Sequence, residues 1–546
     1  MYGIVVKLGV YRSSRWTQPA IGLLLLLAII SCNSPKLPQI SPSGGNPFNP
    51  TPKAKRASSE DPVARQFGVL NPSYDFNKDG TNVQQLATRM PVRNGDSRIA
   101  VLTGGTEFLA ARLALLQKAK RTVLLQALIF SGDEAGYFFA QKLIELKQRG
   151  LNVRVIVDAI ANMQPTTQMM YTQMAKAGIE VEGFDSIYAY ALGVFKPKTG
   201  LADFMDEANR RYHDKMFVID PEDPENAYAI VGGANFANKY FHIEDEDHKD
   251  GWQDRDVVIH GSMVQDIAKT FELNSQTFKA EKAQQQGQNT SALWTLANWA
   301  KGVYGSAVSG FYGGTPKLSE IIKARVVERS TNKLNLQFRP VVGRFLQSRP
   351  RHNERYIANA YIDCVNSATQ EILINNSYFV PTRDFQEALK NAAKRGVKVT
   401  ILTNAKEVSD FPQVQIASRR IFPGLLSVNR QIAPGTGQLR IFEWSGDPIL
   451  HNGEGLNHSK YAVFDRKVSI VGSFNIDPRS RTFNSETVVV YESAELSLQL
   501  AQSYEREISP QFSVPITEEK AATFTDPDDF LGKLSGAFAE ILTPIL

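Results

Sequence analysis

The chain has 546 residues, of which 42% are hydrophobic, 21% charged and 10% aromatic, so there is enough material for two large domains or three to four smaller ones. This composition is typical of a globular protein and excludes wholesale disorder, a fibre or a polytopic membrane protein, while two cysteines exclude a disulfide framework. The net charge of +5 includes three basic side chains and no acidic ones in the first 31 residues, so the remainder offers no electrostatic argument for a dedicated nucleic-acid binder.

The amino terminus has the pattern of an export signal. Basic residues precede an apolar run at residues 20–30, which as a helix would cover about 16 Å and is too short for a hydrocarbon core of about 30 Å. The run ends in Ile29-Ile30-Ser31-Cys32, which resembles a bacterial lipobox. That resemblance implies removal of residues 1–31 and diacylation of Cys32, which would anchor the protein to a membrane of the bacterial cell envelope. The alternatives are an ordinary cleaved signal or a short anchor with a chance cysteine.

The chain then contains the same order of elements twice. Residues 121–130, 137–148 and 151–158 read as strand, helix and strand, with Gly150 ending the helix. Residues 370–380, 385–395 and 397–404 repeat this order, with Gly396 in the equivalent place. Each set predicts a βαβ unit with parallel strands, and the repetition predicts two similar lobes. Coincidence between two common units is the alternative if this repeat is taken alone.

The same repeat contains the residues that suggest chemistry. The pattern His-x-Lys-x-x-x-x-Asp, followed by an apolar run and Gly-Gly/Ser-x-Asn, occurs once in each half. The first copy comprises His213, Lys215, Asp220, Gly233 and Asn235, and the second His458, Lys460, Asp465, Ser473 and Asn475. Each His-x-Lys opens an apolar run and is therefore expected on a strand, with both side chains on one face. Two lobes placed face to face would set two imidazoles and two ammonium groups around one point.

The paired motif resembles that of the phospholipase D superfamily over residues 95–515, and most closely that of bacterial cardiolipin synthases of the C type. The resemblance implies an α/β fold of two pseudo-symmetric phospholipase D-like lobes, each a mixed β-sheet flanked by helices, with one shared active site. One histidine would attack phosphorus and form a phosphohistidine, and the other would act as acid and base. We favour His213 as the nucleophile and His458 as the acid/base, although the pseudosymmetry leaves the opposite assignment open.

The remaining site residues follow from the same chemistry. Lys215 and Lys460 are expected to neutralise the non-bridging phosphate oxygens. The predicted phosphate-binding residues are Gly233, Asn235, Ser473 and Asn475. Asp254 and Glu486 are the family-matched carboxylates for fixing the tautomer of a nucleophilic histidine. Asp220 and Asp465 are predicted to be structural, because the seventh residue after a histidine on a strand points away from it.

Neither a cofactor nor a metal is required by this scheme. Residues 75–80 begin like a calcium loop, but Leu86 stands where a bidentate glutamate belongs, so a turn is the preferred interpretation. Cys364 lies in an apolar helical pattern and is predicted to be a buried free thiol.

The predicted organisation has seven segments. They are a signal (1–31), a flexible tether (32–60), an extension (61–94), lobe 1 (95–285), an inter-lobe segment (286–345), lobe 2 (346–515) and an amphipathic tail (516–546). The Trp-rich stretch at 291–312 is either an interfacial loop among lipid headgroups or a helix packed on its own lobe. The tail would dock on the body or on lipid.

These observations predict a membrane-tethered phosphatidyltransferase that makes cardiolipin. Its expected substrates are phosphatidylglycerol, with phosphatidylethanolamine as a second candidate, and its expected partner is a membrane surface. A phospholipase D that transfers the group to water has the same motifs and is the first alternative. A nuclease is less favoured, and no nucleic-acid partner is expected. A non-catalytic lipid-binding or scaffold protein would show degraded motifs, whereas both motifs are complete.

Overall fold

The computed structural model describes residues 66–72, 74, 89–158, 161–183, 211–243, 251–287, 326, 334, 336–448 and 455–524. The predicted signal, the tether with Cys32, the calcium-like turn and the Trp-rich stretch lie outside these residues, as does the tail beyond residue 524.

The described strands form one large sheet. Their bounds are β1 Arg93–Leu102, β2 Thr122–Ala127, β3 Asn152–Val157, β4 Glu180–Glu182, β5 Met216–Ile219, β6 Tyr228–Gly232, β7 Asp256–Gly261, β8 Arg339–Ser348, β9 Glu371–Asn376, β10 Lys398–Asn404, β11 Gln438–Trp444, β12 Lys460–Phe464, β13 Val468–Gly472, β14 Glu486–Glu492 and β15 Ser513–Ile516. The order across the sheet is β15-β11-β10-β9-β12-β13-β14-β8-β1-β7-β6-β5-β2-β3-β4.

Helices cover the sheet at intervals along the chain. Within the described residues they are α1 Gly105–Lys118, α2 Glu134–Gln148, α3 Pro165–Lys176, α4 Met263–Gly287, α5 Tyr356–Ser367, α6 Arg383–Lys394, α7 Pro412–Leu426, α8 Pro478–Thr482, α9 Ala494–Glu507 and α10 Glu518–Thr523. Local sequence sets several ends: Asp133 caps α2 by accepting the Gly136 N–H, and α3 and α7 each begin at a proline. Gly150 and Gly396 follow the ends of α2 and α6 with φ of +92° and +100°.

The two βαβ units predicted from the sequence are confirmed. Strand β2 pairs in parallel with β3, and β9 with β10, with α2 and α6 between them in the chain. Each unit is followed by an antiparallel hairpin, β5–β6 in lobe 1 and β12–β13 in lobe 2. The hairpin turn of lobe 1, between Ile219 and Tyr228, is longer than that of lobe 2, between Phe464 and Val468.

Each lobe contributes a mixed set of strands flanked by helices, as expected, and the two sets are joined in one sheet. Strand β8 pairs with β1 on one side and β14 on the other, so backbone hydrogen bonds run unbroken from one lobe to the other. Strand β8 begins at Arg339, inside the segment predicted to link the lobes. The lobes are therefore joined along a strand pair at the middle of the sheet.

The hydrophobic core has three main parts. One lies under α1–α3 in lobe 1 and a second under α5–α7 in lobe 2. A third joins both lobes, because β6 packs on β13 and β14, and residues such as Val231, Val471 and Val489 meet there. The free thiol of Cys364 is buried in the lobe 2 core, as predicted. This central layer holds the two halves of the sheet face to face and fixes the separation of the two motifs.

Candidate active site

Both motif histidines lie just before a strand, and not within it as the sequence suggested. His213 precedes β5, which begins at Met216, and His458 precedes β12, which begins at Lys460. Each histidine is held by a backbone bridge to the other lobe: the His213 N–H donates to Ser485 O at 3.0 Å, and the His458 N–H donates to Gln253 O at 2.7 Å. The contact between lobes therefore positions both imidazoles.

Each histidine is paired with a carboxylate of the opposite lobe. Nδ1 of His213 lies 2.7 Å from Oε2 of Glu486, and Nδ1 of His458 lies 2.7 Å from Oδ2 of Asp254. All four side chains are buried. A carboxylate on Nδ1 fixes the ring tautomer that leaves Nε2 for chemistry, and stabilises the imidazolium that forms when Nε2 takes up a proton.

Burial sets the protonation of these two pairs. It lowers the pKa of His213 well below its ordinary value, and the nearby Lys215 ammonium lowers it further. Burial, together with Lys460, does the same to the pKa of His458. Burial raises the pKa of Glu486 to about 7 and the pKa of Asp254 to about 7. Neutral imidazole is thus favoured before an anionic substrate arrives, which suits a nucleophile.

The two motif lysines are also buried and close to the histidines. Lys215 Nζ donates to the His213 carbonyl at 3.0 Å, and Lys460 Nζ donates to the His458 carbonyl and to Ser377 Oγ. Burial lowers the pKa of Lys215 to about 8 and the pKa of Lys460 to about 7. An entering phosphate would favour the charged form of both ammonium groups.

The four predicted phosphate-binding residues are all buried, and each has different neighbours in the structure. A Cβ on Gly233 would collide with the Asp254 carboxylate, so glycine leaves room for that side chain. The Ser473 hydroxyl donates to Glu486 at 2.5 Å. The Asn235 oxygen accepts from the Ile129 N–H, whereas the Asn475 oxygen has no hydrogen-bond partner within the described part of the chain. Their role toward phosphate stays a prediction.

The motif aspartates stand away from the imidazoles and hold backbone. Asp220 accepts from the N–H groups of residues 120–122 at 2.8 Å each, at the start of β2. Asp465 accepts from the N–H groups of residues 369–371 at the start of β9. Both adopt positive φ, at 45° and 50°. Each ties the end of its motif strand to the neighbouring strand of the βαβ unit.

Several site residues were not singled out from the sequence. Trp252 and Tyr240 both place their rings 5.2 Å from the His458 ring. Ser480 donates to Glu486 at 2.8 Å and so completes the shell around that carboxylate. Lys239 and Arg479 each stand four residues after the motif asparagine of their lobe. That shared offset is the signal that could have revealed the last two.

No group of three or more histidine, cysteine or acidic side chains that could hold a metal is found among the described residues. Over the same parts of the chain, no helix combines the length and apolar character needed to cross a membrane.

Comparison with known proteins gives a consistent family. A model described as "Cardiolipin synthase, PLD-like domain" matches residues 113–272 and 361–508. Cardiolipin synthase C of Escherichia coli (strain K12) is 26% identical over 396 residues, covering 71% of this chain and 80% of that protein. Cardiolipin synthase of Geobacillus thermodenitrificans is 25% identical over 438 residues, covering 79% and 71%.

The fold is also similar to a solved structure. Phosphatidylserine synthase of Haemophilus influenzae superposes with a TM-score of 0.52 at 16% identity, over 82% of this chain and 95% of that chain, which shows likeness of fold alone. The family model, in contrast, covers more than half of the chain and includes both motifs. The chain therefore belongs to the cardiolipin synthase, PLD-like family of the phospholipase D superfamily.

Proposed function

We propose that the protein is a phosphatidyltransferase that makes cardiolipin by moving a phosphatidyl group from one phospholipid to the headgroup hydroxyl of another. The observation on which this depends most is the pair of buried histidine–carboxylate contacts formed across the lobes, each 2.7 Å long. Two equivalent imidazoles around one point suit a two-step displacement, because one can attack phosphorus while the other acts as general acid and then as general base.

In the first step, Nε2 of His213 attacks the phosphorus of phosphatidylglycerol. The bond from phosphorus to the headgroup oxygen breaks, and protonated His458 gives its Nε2 proton to the departing glycerol. The anionic substrate supplies the charge that favours this protonated form in an otherwise electropositive, buried site. Lys215 and Lys460 stabilise the negative charge on the non-bridging oxygens as it redistributes.

In the second step, the direction of proton transfer reverses. Neutral His458 takes the proton of an acceptor hydroxyl, whose oxygen attacks phosphorus, and the bond between phosphorus and His213 breaks. With a second phosphatidylglycerol as acceptor the product is cardiolipin, and with water it is phosphatidic acid. The names of the curated relatives favour a lipid acceptor.

A membrane surface is the proposed site of action. Met163 and Phe411, with exposed fractions of 45% and 43%, each follow the second strand of a βαβ unit, at the strand ends that face the histidines. Phe411 contacts Tyr378 edge to face, and the Tyr378 ring lies 5.9 Å from Lys460 Nζ. An apolar tip on each lobe beside the site suits contact with lipid. Acylation of Cys32 in the bacterial cell envelope remains part of the proposal from sequence.

The test is to incubate the full-length protein with phosphatidylglycerol vesicles, with and without phosphatidylethanolamine, and to identify the lipid products by mass spectrometry. The H213A and H458A variants are the controls, with thermal melting curves to establish that they are folded. We expect cardiolipin from the wild type and none from either variant.

Other outcomes would replace the proposal. Phosphatidic acid without cardiolipin would make the protein a hydrolase. No lipid product from folded wild type would move the search to other phosphodiesters or to a binding role.

A further inference from the structure

Asp214, the middle residue of the first His-x-Lys motif, is a fully buried carboxylate that the proposed reaction leaves unused. Its Oδ1 atom accepts from Gln347 Nε2 at 3.0 Å, and its Oδ2 atom accepts from Gln126 Nε2 at 3.2 Å and from the Ser485 hydroxyl. Burial raises the pKa of Asp214 to about 6, so the carboxylate is mostly ionised at pH 7. Burying a charge costs free energy, which indicates that the role of Asp214 lies in the groups that it holds.

Ser485 connects this carboxylate to the histidine of lobe 1. The Ser485 carbonyl accepts from the His213 N–H, and the Ser485 N–H donates to the Arg211 carbonyl, both at 3.0 Å. The next residue, Glu486, contacts His213 Nδ1 at 2.7 Å. Asp214 therefore binds, through its side chain, the same short segment of lobe 2 that holds the backbone and the ring of His213.

A ring of amide side chains fixes the position of the carboxylate. Asn274 Nδ2 donates to Gln126 Oε1, and Gln347 Nε2 donates to Asn274 Oδ1, both at 2.9 Å. Together with the two glutamine contacts to Asp214, these hydrogen bonds close a ring of four buried side chains. Because the three amides come from β2, α4 and β8, the Asp214 carboxylate is held from three elements at once.

The equivalent place in lobe 2 lacks this support. Ser459 is the middle residue of the second motif, and its hydroxyl oxygen has no hydrogen-bond partner within the part of the chain that the structure describes. Gln253, which corresponds to Ser485 in the repeat, donates its side-chain amide to Asp447 at 3.3 Å and not to the motif. The side-chain support is therefore particular to the histidine of lobe 1.

We propose that Asp214 is a positioning residue that, through Ser485, holds His213 in line for its attack on phosphorus. This inference rests on the proposed function, in which His213 is the nucleophile. Asp214 does not act on the substrate; its carboxylate fixes the Ser485 carbonyl, and that carbonyl fixes the backbone of the attacking residue. Because misplacing a reacting group by about 1 Å costs on the order of a hundredfold in rate, the support acts on kcat and not on KM.

The first test exchanges the middle residues of the two motifs. D214S gives lobe 1 the residue that lobe 2 has, and it removes the acceptor of the Ser485 hydroxyl. In cleavage of phosphatidyl-p-nitrophenol in micelles, we expect D214S to lower kcat by about a hundredfold with little change in KM. D214N, whose amide oxygen can still accept from Ser485, should recover most of this loss. S459A is the matched control from lobe 2 and should leave kcat unchanged.

A double-mutant cycle tests whether Asp214 acts through Ser485. S485A removes only the hydroxyl and keeps the backbone bonds to His213, so it should lower kcat in the same direction as D214S. The D214S/S485A double variant should then be no slower than D214S, because both changes remove one contact. Losses that multiply in the double variant would overturn the proposal.

A second readout does not depend on the substrate. In protein with isotopically labelled histidine, the Nδ1 protons held by Glu486 and Asp254 are followed by nuclear magnetic resonance and assigned with H213A and H458A. D214S should shift the His213 resonance and leave that of His458 in place. An unchanged His213 resonance, or an equal shift of both, would overturn the proposal. This result is separate from the proposed function, which is judged by whether cardiolipin forms from vesicles.

Discussion

Neutralising the two carboxylates one at a time should separate the roles of the two histidines. D254N and E486Q keep the size of each side chain and remove its negative charge. Both carboxylates lie 2.7 Å from the Nδ1 atom of a histidine and are fully buried, so the two variants are matched controls for one another. If His213 is the nucleophile, E486Q disables the attack and D254N disables proton transfer.

The size of the effect follows from the contact geometry. The charges of a histidinium and a carboxylate in this contact are centred about 4 Å apart. Their electrostatic attraction at that separation is about 4 kcal/mol at an effective dielectric constant of about 20. That energy corresponds to roughly a thousandfold in rate. Loss of the correct ring tautomer acts in the same direction, so we expect each variant to lower turnover of phosphatidylglycerol by about 10³ or more.

The assay uses phosphatidyl-p-nitrophenol, whose leaving group departs without protonation. D254N should release a burst of nitrophenolate equal to the enzyme concentration and then stall, because the acceptor cannot be activated. The stalled protein should contain one phosphatidyl group on His213, detected as a mass increase of the intact protein after an alkaline quench. E486Q should give neither burst nor adduct.

The opposite pattern, a burst in E486Q and none in D254N, would make His458 the nucleophile. The same burst in both variants, or a decrease in turnover of less than tenfold in both, would refute the argument that the cross-lobe carboxylates set the reactivity of the imidazoles.

Three further perturbations test other parts of the account. Burial would raise the pKa of Glu354, but hydrogen bonds from two arginines lower it from 4.5 to about 2. The contribution of this carboxylate to the free energy of unfolding is therefore complete above the unfolded pKa and is lost as the pH falls towards 2. E354Q should therefore lower the free energy of unfolding by roughly 3 kcal/mol at pH 7, with the difference vanishing near pH 2 in denaturant titrations. M163D and F411D should weaken sedimentation with anionic vesicles several-fold relative to L498D, which changes an equally exposed residue on α9. Equal weakening of sedimentation in all three variants would refute the proposal that Met163 and Phe411 contact lipid. G233A should reduce turnover by a hundredfold or more while the protein stays folded, because its methyl group must displace the carboxylate beside it; near-normal turnover would show that this carboxylate has room to move.

Much of each lobe could be predicted because its signals are local. The apolar runs are bounded by Gly150 and Gly396, which end helices in the left-handed conformation, so the βαβ units are visible from short windows. The motif residues could likewise be identified because the pattern occurs twice at matching places in the repeat. The position of the histidines, three and two residues before the first residue of β5 and β12, was not predicted, since strand ends depend on pairing partners.

The joining of the lobes could not be predicted. Strand β1 begins with polar residues and β8 begins in the predicted inter-lobe segment, and the two strands pair across a long sequence separation. Such pairing depends on packing of the finished fold, which no local pattern contains. For the same reason, the exchange of carboxylates between lobes could be anticipated only as two candidates, and not as the pairs His213–Glu486 and His458–Asp254.

Because each histidine contacts a carboxylate of the opposite lobe, the complete site exists only when the two lobes are docked. A chain in which both lobes have folded but have not yet docked contains two histidines, each without its carboxylate, and the lysines remain apart. Under the proposed function, such a chain would lack both histidine–carboxylate contacts, which form only when the two lobes that share the β1–β8 pair are docked. Under the proposed function, activity would therefore arise in the same event that completes the fold.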